Sequence, residues 1–457
     1  MYFPLNTVLE QVELSNRSNY TDKENIETTI QRILDHYSRS GFPLCEVKIK
    51  DVKEYDGNTV CELEINSGEY VRISFIEFDG NNICDANYLI KESRLILNSK
   101  FNENEVKNAI NYLYKTRLFY SKPEYSLVSK NNKTGLKIVL KEKKYFKGMF
   151  IGGVNNSDES SEFYGSGQFT ADNILGTNRK AGIEWTKKAN NNEKFHFMYR
   201  EPFTFSLPVS NRITFEQENK NLLFLRRNYE IYSDWSIDPE TDIVVSYNHE
   251  NIYPDSANTE IISDVVTNTY KGGLEYSTLY DEMIIPRYGG YSISAGFSSV
   301  NTEFIENDST YSAVEVELKF KKVFNNFNGI YIISNSVYEQ ILSSDKIDNF
   351  NKIVFGGVYG LRGYSDESFL TDIKLISEIE VIYSPLSDLA FGSFLDIAGY
   401  NSDQGKIKKL NDLSVKYGYG VILSYVKSSN EVQFTIGIPG DKGFSGSMVH
   451  VRYSYRF

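Results

Sequence analysis

One arginine stands out for where it sits. Arg362 lies in a glycine-rich stretch, Phe355-Gly356-Gly357-Val358-Tyr359-Gly360-Leu361-Arg362-Gly363-Tyr364, that runs on to Phe369. Glycines at 356, 357, 360 and 363 admit positive φ and sharp bends, which suits a loop folded back into a confined space. A guanidinium in such a space needs a counter-charge, because burying it unpaired is costly. Down-chain, Phe394-Leu395-Asp396-Ile397-Ala398-Gly399 reads as a strand with one carboxylate in its middle. Strict alternation puts Phe394 and Ala398 on the same side as Asp396. Arginine and carboxylate can pair through two parallel bonds that fix geometry. Asp396 is therefore the expected partner of Arg362, with Glu378 and Glu380 on the preceding strand as alternatives. This chemistry holds a loop in place and makes no covalent bond.

Other reactive residues form weaker patterns. The four histidines, His36, His196, His249 and His450, are scattered, and Asn248-His249-Glu250 is the one triplet with the flavour of a hydrolytic site. Three cysteines, Cys45, Cys61 and Cys84, show neither CxxC nor Cys/His metal spacing. Cys45 and Cys61 flank a turn near Asp56-Gly57 that leaves them out of register for a disulfide. No GxxxxGK[ST] phosphate loop occurs. No catalytic residues, metal or cofactor are expected.

The elements that must carry the Arg362 loop are strands. From Lys144 onward, segments of about ten residues alternate apolar and polar and are separated by Asn, Asp, Ser and Gly. Val449, Val451, Tyr453, Tyr455 and Phe457 oppose His450, Arg452, Ser454 and Arg456. Val314, Val316, Leu318 and Phe320 oppose Glu315, Glu317 and Lys319, and Phe195, Phe197 and Tyr199 oppose His196 and Arg200. Roughly eleven such segments precede the loop and five follow it, an even total of about sixteen, as bacterial barrels prefer. The composition agrees: mean hydropathy is −0.39, yet Tyr (34) and Phe (29) are abundant, as a polar lumen with aromatic girdles requires. No run approaches the ~20 apolar residues of a membrane helix. A propeller would show a blade repeat, and none is visible. A net charge of −12 argues against nucleic acid as a partner. Arg362 is thus expected at the tip of a loop tucked inside a barrel, facing a lumen carboxylate. The opening residues, MYFPLNTVLEQV, lack the basic and apolar regions of a signal peptide. Either Met1 is not the natural start or the barrel reading fails.

The first third is different. Ile26, Ile30, Ile33, Leu34 and Tyr37 share one face of an expected helix over 24–37, with Thr21 and Asp22 as candidate caps. Strands are expected at Cys45–Val52 and Thr59–Ile65, then Val71–Phe78, helices at Ala86–Leu95 and Asn104–Leu118, and strands at Tyr125–Ser129 and Leu136–Lys141. The closing helix-strand-strand portion appears twice, an internal repeat. Module boundaries follow at 1–69, possibly truncated at its start, and 70–143, with the barrel at 144–457.

These features resemble the superfamily of outer-membrane transporters that join POTRA modules to a barrel, which includes the BamA and TamA insertases and the TpsB two-partner secretion transporters. The Phe78-Asp79-Gly80-Asn81 phrase resembles POTRA sequences. Leu361-Arg362-Gly363-Tyr364 after Gly356-Gly357 resembles the tip of the superfamily's sixth extracellular loop. Phe394 and Asp396 match its F-x-D-x-G strand, except that Ala398 stands where the family has glycine. Asp172-Asn173-Ile174-Leu175-Gly176-Thr177 and Tyr199-Arg200-Glu201-Pro202-Phe203 resemble phrases of the surface-antigen (BamA/TamA-like) branch, and Phe457 resembles the terminal assembly signal. The resemblance implies α+β POTRA modules followed by a 16-stranded antiparallel transmembrane β-barrel in the bacterial outer membrane, with the modules in the periplasm. It implies unfolded outer-membrane or secreted polypeptides, the lipid bilayer and accessory lipoproteins as partners, and insertion or translocation of polypeptide without a nucleotide. A barrel seam is expected between the strand near Phe146–Val154 and the strand ending at Phe457. The alternatives are a TpsB-type secretion transporter, a barrel enzyme and a passive porin.

Overall fold

The computed structural model describes residues 23–55, 58–156, 161–187, 192–220, 224–254, 264–279, 289–306, 309–343, 347, 352–357, 360–365, 368–386, 388–401, 413–427 and 430–456. Thr21, Asp22, the Asp56-Gly57 turn and Phe457 lie outside these. The chain divides into two compact units, Met1–Lys143 and Lys144–Phe457.

In the first unit, helix α1 (Lys23–Arg39) precedes an antiparallel ribbon of β1 (Glu46–Tyr55) and β2 (Asn58–Asn66). Its register sets Cys61 opposite Val52, and Cys45 precedes the ribbon, so the two are not joined in a disulfide, and Cys84 is in none either. A three-stranded sheet follows, built from β3 (Ile76–Asp79), β4 (Glu124–Lys130) and β5 (Lys133–Val139) in the order β3-β5-β4. Helices α2 (Ala86–Ser93) and α3 (Glu103–Lys115) lie between β3 and β4 in sequence. Asp85 caps α2 by accepting from the Tyr88 amide, and Arg94 ends it in the left-handed region; Asn102 caps α3. Their apolar faces bury Leu89, Val106, Ile110 and Leu113 with Leu136 and Ile138 of the sheet. The strand expected from Val71 is shorter than the alternation suggested. Val71 and Ile73 instead bond Phe101 and Ser99 across an isolated bridge, Arg72 opposite Lys100, and the sheet proper begins at Ile76. Gly80 is required, since a Cβ there would lie 2.2 Å from the Leu140 carbonyl oxygen.

In the second unit, β6 (Phe146–Asn156), β7 (Ser161–Ile174), β8 (Arg179–Lys187), β9 (Asn192–Glu201), β10 (Val209–Lys220) and β11 (Phe224–Ser236) run up and down in order. They continue as β12 (Thr241–Pro254), β13 (Val265–Ser277), β14 (Gly290–Phe304), β15 (Ser309–Phe327) and β16 (Ile330–Ser343). The small ribbon of β17 (Ile353–Phe355) and β18 (Phe369–Thr371) stands apart in the loop that follows. The wall resumes with β19 (Ile373–Leu386), β20 (Leu389–Tyr400), β21 (Ser414–Lys427), β22 (Asn430–Pro439) and β23 (Met448–Arg456). Sixteen strands, β6–β16 and β19–β23, close into one antiparallel barrel, which removes free sheet edges. Alternation sorts the faces. Leu395, Ile397, Val421, Leu423, Phe434 and Ile436 are exposed on the outer surface, joined by Trp235, Tyr247 and Tyr270. Glu315, Glu317 and Lys319 share the opposite face with Lys271, whose ammonium lies 2.5 Å from Glu317. Among the described residues no helix is long and apolar enough to cross a membrane; the outer band is made by strands.

The closure is uneven. β6 pairs with β7 along its whole length, Phe146↔Ala171 through Asn156↔Ser161. Against β23 it pairs through Tyr455↔Gly148 and Arg456↔Lys147 among the described residues.

Candidate functional site

The loop between β16 and β19 returns into the barrel and lays its tip on the inner face of β19–β22. Gly356 and Gly357 have φ of +127° and +76° at the bend, and a Cβ on Gly356 would lie 2.6 Å from the Ser365 carbonyl oxygen. Aromatic packing supports the stem. The rings of Phe355 and Phe369 stack at 4.9 Å, and each lies 5.3 Å from that of Tyr400. Leu361 and Tyr364 of the tip join this cluster with Ile376 and Ala398. Ala398 is fully buried, so its methyl group fills space inside the cluster.

The Arg362 guanidinium donates from Nε to Asp396 Oδ2 at 2.8 Å and from Nη2 to Oδ1 at 2.5 Å. Its backbone amide also donates to Oδ2, at 3.0 Å. Nη1 donates to Glu380 Oε1 at 2.5 Å, and the guanidinium lies 3.7 Å from the Phe394 ring centre. Asp396 is fully buried and Arg362 is 8% exposed. Burial alone would lower the arginine's pKa. The hydrogen bond to Asp396 and the charges of Glu380 and Asp396 outweigh it and hold the pKa above the ordinary arginine value. The structure therefore brings Arg362, Asp396 and Glu380 together. Glu378 sits directly across from Asp396 on the neighbouring strand, but its carboxylate accepts from Asn335 Nδ2 at 2.9 Å.

Several residues of the seat escape a reading of the loop alone. Gly363 has φ +95°, and a Cβ there would lie 2.8 Å from backbone atoms of Ile438 and Pro439. On the wall, a Cβ at Gly418 would lie 1.9 Å from the Arg362 carbonyl oxygen, and one at Gly437 would lie 2.5 Å from the Gly363 amide nitrogen. The signal for them was present: Gly418 and Gly437 interrupt strands, where glycine marks close approach of another backbone. The Tyr364 hydroxyl donates to Asp441 Oδ1 at 3.1 Å, and Lys416 donates to Asp441 Oδ2 at 2.6 Å. Burial first, and then the bond to Asp441, push the Tyr364 phenol up to about 12. The bond from Lys416 holds the Asp441 carboxyl below the usual range.

Two further motifs meet at the other end of the barrel. Within Asn173–Thr177 the turn closes on itself, the Asn178 amide donating to Asn173 Oδ1 at 2.8 Å. Arg179, just beyond it, donates to Glu201 at 2.7 Å, and the Tyr199 hydroxyl donates to the same carboxylate at 3.0 Å. The Asn248-His249-Glu250 triplet does not form a site. It lies within β12, where alternation turns His249 toward the outer ring of Tyr229 and Glu250 toward Arg226 on the inner face. Between the loop's stem and the wall lies a polar cavity of about 460 Å³, lined by Glu230, Lys271, Glu315, Lys319 and Lys352 among others.

A closed sixteen-stranded barrel with an arginine-tipped loop seated on its inner wall, following a separate α+β unit, is the class that fold and site define. Solved structures share the fold. The chain is similar to BamA from Haemophilus ducreyi lacking POTRA domains 1-3, at 15% identity and TM-score 0.51, covering all of this chain and 97% of that one. It is similar to CdiB from Acinetobacter baumannii, at 11% identity and TM-score 0.61, covering 99% and 86%. It is similar to CdiB from Escherichia coli, at 12% identity and TM-score 0.63, covering 97% and 89%. These likenesses establish the fold. No family model and no curated protein matches the sequence.

Proposed function

We propose that this chain is a BamA/TamA-like member of the POTRA-plus-barrel superfamily that inserts or translocates polypeptides at a bacterial outer membrane. Residues 1–69 and 70–143 are its two periplasmic modules, and 144–457 is its barrel. The observation that carries the reading is the Arg362 finger bound to Asp396 and Glu380 on the inner wall. That arrangement occupies the lumen with a fixed loop, where a passive pore would be open and an enzyme would need a reactive group at the rim. The short β6–β23 pairing among the described residues supports a wall that parts at that seam, where a client strand would add or leave. β4 forms one edge of the first unit's sheet, beside a groove of about 350 Å³ lined by Lys107, Ile110, Pro123 and Tyr125. An exposed strand edge of this kind takes up extended peptide by strand addition. Unfolded clients, the bilayer and accessory lipoproteins are its partners; nucleotide and catalysis have no part.

Similarity to the two CdiB structures keeps a second reading in view, the TpsB-type secretion transporter of the same superfamily. The Asn173–Thr177 and Tyr199–Phe203 phrases favour the insertase branch. The test reconstitutes the full chain in liposomes with an unfolded barrel client and scores heat-modifiable client bands. Client folding accelerated by the wild type and lost with Arg362→Ala supports the proposal. Equal acceleration by both proteins, with the variant still folded, counts against it.

A further inference from the structure

The finger makes its contacts strand by strand toward the seam. Glu380 on β19, Asp396 on β20, Gly418 on β21 and Gly437 on β22 each meet its tip. The last contact goes beyond the wall. The Tyr364 hydroxyl reaches Asp441, in the turn that joins β22 to β23. That turn lies at the end of the barrel where the finger enters. The described β6–β23 pairs lie at the opposite end, Tyr455↔Gly148 and Arg456↔Lys147. Near the finger, therefore, β23 is positioned through its hairpin with β22, from Gly437↔Met448 onward, and through whatever holds the turn above that hairpin.

We propose that Asp441 is a second latch, a positioning residue that ties the finger to the last hairpin and so limits how far β23 moves from β6. The Lys416–Asp441 pair is half-exposed, and by itself such a pair contributes little. The Tyr364 side differs, because this phenol is buried and its donor is directed at the turn. Losing Asp441 removes the turn's tie to the finger and leaves its backbone bond to β21, the Gly440 amide on the Tyr417 carbonyl at 2.8 Å, while Arg362 keeps all of its partners, so the two latches separate: Arg362 fixes the finger to the wall, and Asp441 fixes the turn to the finger. The inference rests on the seam being the mobile part of the barrel.

The experiment uses the full chain with Cys45, Cys61 and Cys84 replaced by serine. Spin labels are placed at Ser445→Cys in the turn and Lys187→Cys at the same end of β8. Tyr364→Phe, which keeps the ring in its cluster, and Asp441→Ala are each expected to add a longer-distance population absent from the parent. The double variant should match either single one, since both break the same link. Glu216→Gln, which removes the Lys194–Glu216 ion pair on another part of the wall, should leave the distribution unchanged. Unchanged distances in Tyr364→Phe and Asp441→Ala, with heat-modifiable migration intact, overturn the proposal. Equal widening in Glu216→Gln overturns it as well. Widened distances with undiminished client folding leave the latch standing and remove the seam from the proposed function.

Discussion

The carbonyl oxygen of Arg362 occupies the space that a side chain on Gly418 would take, 1.9 Å from where its Cβ would lie. The arginine's charge draws it to Asp396, but its backbone can follow only because strand β21 is bare at that point. Gly418→Ala should lift the finger off the wall. The expected cost is about 1–3 kcal/mol, the usual range for overpacking a tight contact. The check is urea unfolding of the refolded barrel beside Gly272→Ala, where a Cβ meets nothing within 4 Å and no change is expected.

Arg362 and Asp396 form a buried pair, and breaking one side strands the other's charge. Arg362→Ala and Asp396→Ala should each destabilise by about 3–5 kcal/mol, as loss of one partner of a buried pair does. The double variant should fall well short of the sum, because it leaves neither charge unpaired. Glu380 complicates the cycle in an informative way. It would still face the empty seat in Asp396→Ala, so Arg362 should retain some of its hold. Additive losses in a double-mutant cycle would contradict the coupling.

In the first unit, Glu103 accepts from Ser38 of α1 at 2.7 Å and pairs with Lys107 at 2.8 Å. Lys107 first, and then Ser38, hold the carboxyl below the ordinary range. A depressed folded pKa means the tie is fully present above the unfolded value of about 4.3 and is lost as pH falls through the folded value. The protection factors of the α1 amides, which are corrected for the intrinsic pH dependence of exchange, should therefore fall in acid. Glu103→Gln should exchange faster at neutral pH and lose most of the acid dependence. An identical pH profile in the variant would place the effect elsewhere.

The edge of β4 is open to direct trial. A photo-crosslinking residue at Glu124 should capture unfolded client, whereas one at Lys91, on the exposed side of α2, should not. Equal labelling at both positions would argue against strand addition at that edge.

Alternation and composition determined the strand count and the parity of most faces, and the glycines around Arg362, with its need for a counter-charge, marked it as a guest in the lumen. Those features repeat along the chain, so local physics reveals them. The chain could also be read for a buried carboxylate opposite the arginine, because a mid-strand aspartate has few other reasons to exist. What alternation could not do was choose among carboxylates of one face. Glu378 and Glu380 have the same parity on β19, yet Glu380 reaches the guanidinium while Glu378 turns to Asn335. That choice depends on how strands slide past one another and on where the loop lands, and both are set by closure of the sheet. The glycines at 418 and 437, and Asp441 in the final turn, are likewise distant in sequence from the finger they serve. Their meaning appears only when the barrel's curvature carries β21, β22 and the last hairpin beneath the tip, where room for a backbone matters as much as charge.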